Sequence, residues 1–440
     1  MKMSLNNFKY QNVAYNYNDV NGTFETNYDK DLHLVVIWSK ARIKEKEIIA
    51  ELDQSFNILG CFDTTWSQEH IDNNFHRIYD VAPTGGKAGK REEVGDQAFM
   101  VVVIQDTKPK YQYRTDASGR LKIVNANVVD KKHLFRKWVG GSYMVHSTDN
   151  LKEFFNNAIL FFGKEYTFEL IDKMKWDKNA SIINNDLVGA NGWNSCKELF
   201  ETLNLTTEYV VLRGSDKIED TVSTLSGDVD ILCSDIGEFA AAANGINIWN
   251  SKNFFHVNIA GKQVLFDIRY VGDDYFDEKW QKDIIKNRVL DKNGVNIPRV
   301  DDYFFSHLYH AYIHKPLFFD KYIGRLTGLA EKIGIKNFKD DCQNNPSKIV
   351  KLLRGYLLAH NYQVSIPKDE QVYININFIS EVQRINSMKL YLRVFGVKIK
   401  NFPQKMLMNT KVLIKKNKML FNILIALREK YNQHFKNGSS

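Results

Sequence analysis

Two short apolar runs in the middle of this chain carry carboxylates, which strongly restricts how the chain can fold. Asp228 and Asp230 flank Val229 in GDVDILC, and Asp267 lies inside LFDIRY. Because the side chains of a strand alternate between faces, Asp228 and Asp230 are expected to project together. Carboxylates gathered at a buried sheet repel one another and lose hydration, which a divalent metal relieves. The pattern therefore predicts a sheet whose edge holds Mg²⁺ or Mn²⁺.

A glycine–serine pair precedes these carboxylates. Gly214 and Ser215 follow the apolar run EYVVLR, and Asp228 comes thirteen residues after Ser215. Glycine allows close backbone approach to a phosphate, and a serine hydroxyl can donate a hydrogen bond to it. Two metals about 4 Å apart can stabilise both oxygens of an in-line displacement. The combination predicts metal-dependent transfer of a phosphorus-containing group. The alternative is a solvated turn at GDVD and an ordinary strand at LFDIRY.

The order of these motifs resembles the nucleotidyltransferase superfamily, the polymerase-β-like fold, over roughly residues 205–275. The family signature is a hydrophobic residue and Gly-Gly or Gly-Ser, a spacer, paired carboxylates on one strand and a third carboxylate on a later strand. The resemblance implies that Asp228 and Asp230 bind metal and that Asp267 shares the metal and activates an acceptor hydroxyl. It also implies that Gly214 and Ser215 hold the phosphates of a nucleotide.

A narrower resemblance extends over YVVLRG, GDVDIL, FDIRYVGDDYFD and YFFSHLYHAYIHKP. These segments are similar to transferase-type proteins encoded in bacterial capsule and surface-polysaccharide clusters, some of which carry a module similar to residues 32–163. The resemblance implies a nucleotide or nucleotide-activated donor and a glycan or lipid-linked glycan acceptor. KREEVGD departs from the glycine-rich stretch typical of that module. Two alternatives stay open: a toxin-like or tRNA- or protein-directed nucleotidyltransferase, and a non-catalytic nucleotide-binding scaffold.

Three histidines follow the carboxylate segment at helical spacing. His307, His310 and His314 are expected on one face of a helix, and Lys315 follows them. One interpretation places His310, His314 and Lys315 against a substrate phosphate. The other is a helix that packs its histidines against the sheet. Zinc is disfavoured, because one helix rarely supplies three ligands.

Two arginines flank the carboxylates in sequence. Either can contact a phosphate or neutralise a neighbouring aspartate. We expect Arg213 to contact phosphate and Arg269 to pair with an aspartate.

The chain has 440 residues, which is long enough for two or three domains. The predicted class is α/β (α+β), with an N-terminal mixed α/β domain over 1–163 whose role the sequence does not assign. A nucleotidyltransferase-like mixed sheet with helices is expected over 164–300, and a helical, basic region over 301–440. The helical region includes helices broken near Pro316 and a short strand at VYININF.

The N-terminal domain is expected to begin with a βαβ unit, formed by LHLVVIW, a helix through KEKEIIAELDQSF and FNILGCFDTTW. Residues 80–97 are expected to be an exposed loop, and AFMVVVIQD a strand. A capped helix is expected after His146, with Ser147, Thr148 or Asp149 as its N-cap.

A glycine pair precedes this helix. Gly140 and Gly141, followed by Ser142, could hold an anion near the helix N-terminus or form an ordinary tight turn. If the turn binds a ligand, the chain has two active sites, for example a kinase-like module before the transferase.

The C-terminal tail is basic and apolar. Residues 388–436 contain twelve Lys or Arg and a single acid, Glu429, so they carry more than the whole net charge of +8. The tail is expected to bind an anionic membrane surface, with domain packing as the alternative and nucleic acid less favoured.

The start of the chain has no apolar signal segment. No apolar run anywhere in the chain approaches the roughly 20 residues needed to span a bilayer. Its four cysteines form no metal or disulfide pattern. We therefore expect a cytoplasmic protein that is peripheral at the inner face of the membrane.

Overall fold

The computed structural model describes residues 31–375 apart from 82–88, 116–118, 120, 142, 174, 249–250 and 317–319, together with 16–18 and 23–25. Within these residues the strands form two five-stranded sheets and three two-stranded ones, and helices pack against the larger sheets. The predicted mixed α/β class is confirmed. The four cysteines are free thiols. None of the helices described is long and apolar enough to cross a bilayer.

The N-terminal half is built around the first five-stranded sheet. The strands of the N-terminal half are β1 (Asn16–Asn18), β2 (Thr23–Glu25), β3 (Asp31–Ile37), β4 (Asn57–Thr64), β5 (Phe99–Asp106), β6 (Tyr111–Thr115), β7 (Leu121–Asn125), β8 (Val145–Ser147) and β9 (Ala180–Ile183). Its helices are α1 (Glu45–Ser55), α2 (Ile71–Ile78), α3 (Gly89–Val94), α4 (Ala126–Trp138), α5 (Leu151–Phe162) and α6 (Lys164–Lys173). The sheet order is β8-β3-β5-β4-β9. Because β3 and β4 both pair antiparallel with β5, the predicted βαβ unit is split by a third strand.

Strand β3 shows why this sheet is apolar on both faces. Every residue of β3 is buried. Alternate side chains enter different cores, so Leu34 and Val36 pack with α2 and α5, whereas Val35 and Ile37 pack with α1 and α4. Full burial of each such side chain stabilises the fold by about 1.5–3 kcal/mol.

Several local expectations for this half need correction. Residues 89–94 form helix α3, so 80–97 is not wholly a loop. The N-cap of α5 is Asn150, whose side chain accepts a hydrogen bond from the Glu153 backbone, rather than Ser147, Thr148 or Asp149. Strand β9 pairs with β4, so the first sheet continues beyond residue 163.

The central half is built around the second five-stranded sheet. Its strands are β10 (Tyr209–Arg213), β11 (Val229–Cys233), β12 (Ile246–Asn247), β13 (Phe254–Ile259) and β14 (Lys262–Tyr270), followed by the hairpin β15 (Val289–Leu290) and β16 (Asn296–Ile297). Its helices are α7 (Cys196–Thr206), α8 (Ile218–Thr224), α9 (Ile236–Ala243) and α10 (Glu278–Lys286). The sheet order is β10-β11-β14-β13-β12, with β11 and β14 parallel. Helices α7, α8 and α9 cover one face, and α10 and the next helix cover the other.

A buried arginine joins the two halves. Arg77 of α2 is fully buried, and its guanidinium donates hydrogen bonds to the carbonyls of Ala241 and Ala242 at the end of α9 and of Val188. The Ala241 carbonyl also accepts from the backbone amide of Asn244, whereas Arg77 supplies the side-chain donor for the Ala242 carbonyl, one of the groups that a helix end leaves unsatisfied. Burial lowers the Arg77 pKa to about 9.

Four further helices complete the described chain. They are α11 (Val300–Ile313), α12 (Asp320–Lys332), α13 (Phe338–Asn344) and α14 (Pro346–Ala359). The break near Pro316 occurs as expected. Residues 372–375 are not a strand, which corrects that part of the prediction at VYININF. The remainder of that segment and the basic tail 388–436 lie outside the described residues.

Candidate active site

Three carboxylates meet in the central sheet. Asp230 of β11 lies directly opposite Asp267 of β14 in the parallel pair, and Asp228 immediately precedes β11. One carboxylate oxygen from each of the three lies within 4.8 Å of the others. The structure therefore brings together the three residues that the sequence pattern singled out.

The charge of Asp228 is strongly affected by this crowding. Its side chain is at the exposed end of the cluster, whereas Asp230 and Asp267 are partly buried. Loss of hydration, followed by repulsion from Asp230 and Asp267, raises the pKa of Asp228 to about 6, although Arg213 opposes the shift. A cation bound among the three would remove both causes.

Asp267 supplies a direct test of whether the residues fit a metal. Its Oδ2 accepts a hydrogen bond from Arg269 at 2.9 Å. Its Oδ1 is buried and, among the described residues, has no hydrogen-bond partner. Burial raises the Asp267 pKa against the opposing charge of Arg269. A buried carboxylate oxygen without a donor, next to two further carboxylates, suits Mg²⁺ or Mn²⁺, so the residues fit such an ion.

Arg213, at the end of β10, holds Asp230 rather than facing the cavity alone. Its Nε donates to Asp230 Oδ2 at 2.9 Å, and its Nη2 donates to the other oxygen of the same carboxylate. Nη1 lies 3.4 Å from the hydroxyl of Tyr275. The ion pair uses two of the five N–H groups of the guanidinium, so the expected phosphate contact of Arg213 stays a prediction.

Arg269 pairs with aspartate, as expected. It is buried and links Asp267 to Asp369, each at 2.9 Å. The same oxygen of Asp369, Oδ2, also accepts a hydrogen bond from Asn253 Nδ2 at 3.0 Å. Asp369 lies in the segment after α14, so this segment is fastened to the carboxylate strand from across the cavity.

The glycine–serine turn leaves β10 toward α8. Gly214 has φ 74° and ψ 21°, the left-handed region that glycine adopts without strain, and it lines the cavity. Ser215 begins a short 3-10 turn and is buried, and its side chain is hydrogen-bonded to Tyr303. The turn therefore presents Gly214 to a ligand, while Ser215 lies behind it.

His307 and His310 of α11 and His314, which follows its last residue, line the cavity, and all three are buried. His310 Nδ1 lies 2.7 Å from the Tyr275 hydroxyl, and its Nε2 lies 3.5 Å from the Tyr322 hydroxyl. Both ring nitrogens of His314 lack a hydrogen-bond partner among the described residues.

These histidines are held neutral. Burial and then the charge of Arg213 lower the pKa of His307 to about 3 and that of His310 well below its usual range. Burial and then the charge of Arg269 do the same to the pKa of His314. They would contact a phosphate as neutral imidazoles rather than as cations.

The cavity formed by these residues has a volume of about 860 Å³. Five cationic side chains line it: Arg213, Lys217, Arg269, Lys315 and Arg325. Lys315, which the sequence analysis singled out, lies directly after α11. A cavity of this size with several cations beside a carboxylate cluster can hold a metal-bound polyanion.

Other lining residues were not predicted from sequence, namely Lys217, Tyr275, Tyr322, Arg325, Asp369 and Tyr373. Lys217 follows the Gly-Ser pair by two residues, so a search of that turn for cations would have found it. Arg325 and Asp369 enter from α12 and from the segment after α14, far along the chain, and nothing in their local sequence marks them.

Comparison with protein-family models, with curated proteins and with solved structures finds no match for this chain. Its function is therefore argued from the residues of the cavity and their geometry.

Proposed function

We propose that the protein is a Mg²⁺-dependent transferase that moves a nucleotidyl or other phosphorus-containing group to an acceptor hydroxyl. One observation carries the proposal: three carboxylate oxygens within 4.8 Å of one another open into a cavity lined by five cationic side chains. Carboxylates alone would repel a phosphate, and cations alone would need no carboxylate cluster. Together they suit a nucleotide bound through a divalent ion.

Different residues of the cavity would bind the metal, bind the donor phosphates and accept the proton. Asp228, Asp230 and Asp267 would hold Mg²⁺, which when bound supplies positive charge to the reacting phosphoryl oxygens. Lys217 and Arg325 would bind the remaining phosphate oxygens of the donor. The acceptor oxygen forms a bond to phosphorus as the bond to the leaving group breaks, and Asp267 accepts the acceptor proton.

We further propose that the donor is a nucleotide or a nucleotide-activated compound and that the acceptor is a glycan or lipid-linked glycan. The narrower sequence resemblance to transferases of surface-polysaccharide clusters supports this setting. The basic tail 388–436 would hold the enzyme at an anionic membrane surface, where lipid-linked glycans are assembled on the cytoplasmic side.

The test is a product screen. The full chain would be incubated with CTP, UTP, ATP and CDP-linked polyols in the presence of Mg²⁺ and of glycan acceptors, and products would be read by mass spectrometry. The double variant Asp228→Asn, Asp230→Asn should lose transfer and Mg²⁺–nucleotide binding in calorimetry. Asp220→Asn is the matched control, because Asp220 is an exposed carboxylate on the neighbouring helix α8.

The same screen separates the rival functions. Label that enters added RNA or protein, rather than glycan, would assign the macromolecule-directed alternatives. Binding of Mg²⁺–nucleotide without any product, and full biological activity of the double variant, would assign a non-catalytic scaffold. Failure of the chain to bind Mg²⁺–nucleotide at all would overturn the proposal.

A further inference from the structure

A second cavity lies in the N-terminal half, away from the carboxylate cluster. Its volume is about 750 Å³, and its walls come from α3, α4, β8, the β6–β7 hairpin and the start of α5 and α9. Five Lys and Arg side chains line it: Lys90, Arg114, Lys122, Lys132 and Arg136. Acidic side chains line it as well, so the net charge of the cavity depends on which of these acids are already paired or protonated.

Three of the lining acids have partners. Asp149 accepts from Lys132 at 2.7 Å, and Glu238 accepts from Lys152 at 2.8 Å. Asp235 is the N-cap of α9 and accepts from the first backbone amides of that helix. Their negative charge is therefore balanced by neighbouring protein groups.

The two other acids lose charge through burial. Burial raises the pKa of Asp80 well above its usual value, and Glu238 adds to the shift. Burial, and then the charge of Asp149, raises the pKa of Glu153 to about 7. Near neutral pH Asp80 therefore contributes little negative charge, and Glu153 is only partly ionised.

Two cations, by contrast, lie against a tyrosine. Lys90 Nζ is 3.5 Å from the ring centre of Tyr143 and 4.6 Å from that of Tyr79, and the Arg136 guanidinium carbon is 5.1 Å from Tyr143. The Nε of Arg136 donates to the Val145 carbonyl at 2.8 Å. No hydrogen bond of its terminal nitrogens occurs within the described part of the chain. Lys90 has one carboxylate nearby, at 3.8 Å, in Glu93 outside the cavity lining.

A buried histidine supplies a polar atom without a partner. His146 is 7 % exposed, and its Nε2 has no hydrogen-bond partner among the described residues. The nearest carboxylate oxygen, Oε1 of Glu153, is 3.8 Å away, which is too long for a hydrogen bond. Burial lowers the His146 pKa to about 3, so the ring is neutral. A buried ring nitrogen in this state costs free energy until a ligand satisfies it.

We infer that this cavity is a second binding site, for a small organic phosphate monoester. Lys90 and Arg136 would bind the phosphate oxygens, His146 Nε2 would form a hydrogen bond to the ligand, and Tyr79 and Tyr143 would contact its organic part. Several cations match a doubly charged phosphate better than a single carboxylate. The site needs no metal, since its acids are paired, neutral or only partly ionised, and it is independent of the transferase proposed for the central cavity.

For the glycine pair, the sequence left open either an anion site or an ordinary tight turn, and the structure shows a turn. Gly140 and Gly141 end helix α4, where their amides donate to the carbonyls of Lys137 and Arg136 at 3.3 and 2.6 Å. They form a tight turn after a helix rather than before one. The side chains around Arg136 and His146, not these glycine amides, carry the inference.

Equilibrium dialysis of the full chain against radiolabelled glycerol 3-phosphate, with EDTA present, tests the site. Lys90→Gln and Arg136→Gln should each weaken one class of binding site at least tenfold. Lys137→Gln is the matched control, because Lys137 is an exposed lysine next to Arg136 on α4 and should bind as wild type. Arg325→Gln in the central cavity should leave this class of site unchanged.

Three results would overturn the inference. One is that Lys90→Gln and Arg136→Gln, both folded by circular dichroism, bind the probe as wild type does. The second is that Arg325→Gln abolishes all binding. The third is that wild type binds no probe at millimolar concentration. Arg136 also donates to the backbone of β8, so Arg136→Gln can fail to fold. Lys90→Gln then still tests the site, because Lys90 makes no such bond within the described residues.

Discussion

The two cavities of this protein are similar in size and in content but differ in how their acids are arranged. Both contain cations, tyrosines and buried histidine, in volumes of about 860 and 750 Å³. In the central cavity Asp228, Asp230 and Asp267 crowd together, and one oxygen of Asp267 has no donor in the described structure. In the N-terminal cavity the acids are paired with protein groups or have their pKa raised by burial. We propose a metal with its phosphate for the first arrangement and a phosphate alone for the second.

The largest effect should follow from replacing the carboxylate that would accept the acceptor proton. Asp267→Asn removes that base and a metal ligand, so kcat should fall by roughly 10² to 10⁴-fold, the usual contribution of a general base. Steady-state kinetics on the identified substrate, together with Mg²⁺ calorimetry, measures it. Phosphate binding in the N-terminal cavity should not change, and Asp220→Asn should behave as wild type. If Asp267→Asn kept wild-type activity, the carboxylate cluster that distinguishes the central cavity from the N-terminal one would not be needed for transfer.

The next effect concerns how firmly the two halves are joined. Arg77→Ala removes three buried hydrogen bonds, to the carbonyls of Ala241, Ala242 and Val188, and opens a cavity, so the free energy of unfolding should fall by about 3–5 kcal/mol. Lys152→Ala is the comparison, because it breaks the partly buried ion pair to Glu238 across the same boundary and should cost less, about 1–2 kcal/mol. Urea unfolding measures both. Equal losses of unfolding free energy in the two variants would mean that Arg77 joins the halves no more firmly than the Lys152–Glu238 ion pair does.

The two sites also differ in how far sequence reveals them. In the central site the chemistry is local: Gly214, Asp228 and Asp230 lie within a short segment, and alternation along a strand predicts which carboxylates share a face. Only the register of β11 against β14 was needed to bring in Asp267. The apolar runs of β3 and β5 were found for the same reason, because fully buried strands are continuous in sequence.

The N-terminal cavity has no such local pattern. Lys90 and His146 come from separate elements, and nothing in either segment shows that their side chains meet around Tyr79 and Tyr143. Spacing also predicted where the central histidines lie but not their charge, because burial is a tertiary property. Helix α3 was not predicted, because the glycines and charges of residues 80–97 resemble those of a turn.

A pH experiment would sharpen the contrast between the acids. Glu153→Gln replaces the carboxyl group whose pKa is raised to about 7 by burial and by Asp149, against Lys132. Between pH 4.5 and about 7 the folded protein binds more protons at Glu153 than the unfolded chain, so this group lowers stability as pH rises.

The stability of the Glu153→Gln variant relative to wild type should therefore increase from pH 4.5 to about 7 and then level off, by a few kcal/mol at most. Urea unfolding at several pH values gives the difference. A difference that does not vary with pH would mean that Glu153 is ionised in the folded state, and the N-terminal cavity would then carry a negative charge.

The smallest effect tests the backbone of the central cavity rather than its charges. Gly214→Ala places a side chain at φ 74°, which should cost about 1 kcal/mol, although a Cβ there would meet no atom within 4 Å. Gly328→Ala is the matched control: it lies in helix α12 with equal space around it, so alanine should stabilise the protein by roughly 0.5–1 kcal/mol. Opposite signs in thermal unfolding would show that the conformation of the turn, and not crowding, requires glycine at 214. A stabilising Gly214→Ala would contradict this, and the turn would then owe its shape to Ser215 and Tyr303 instead.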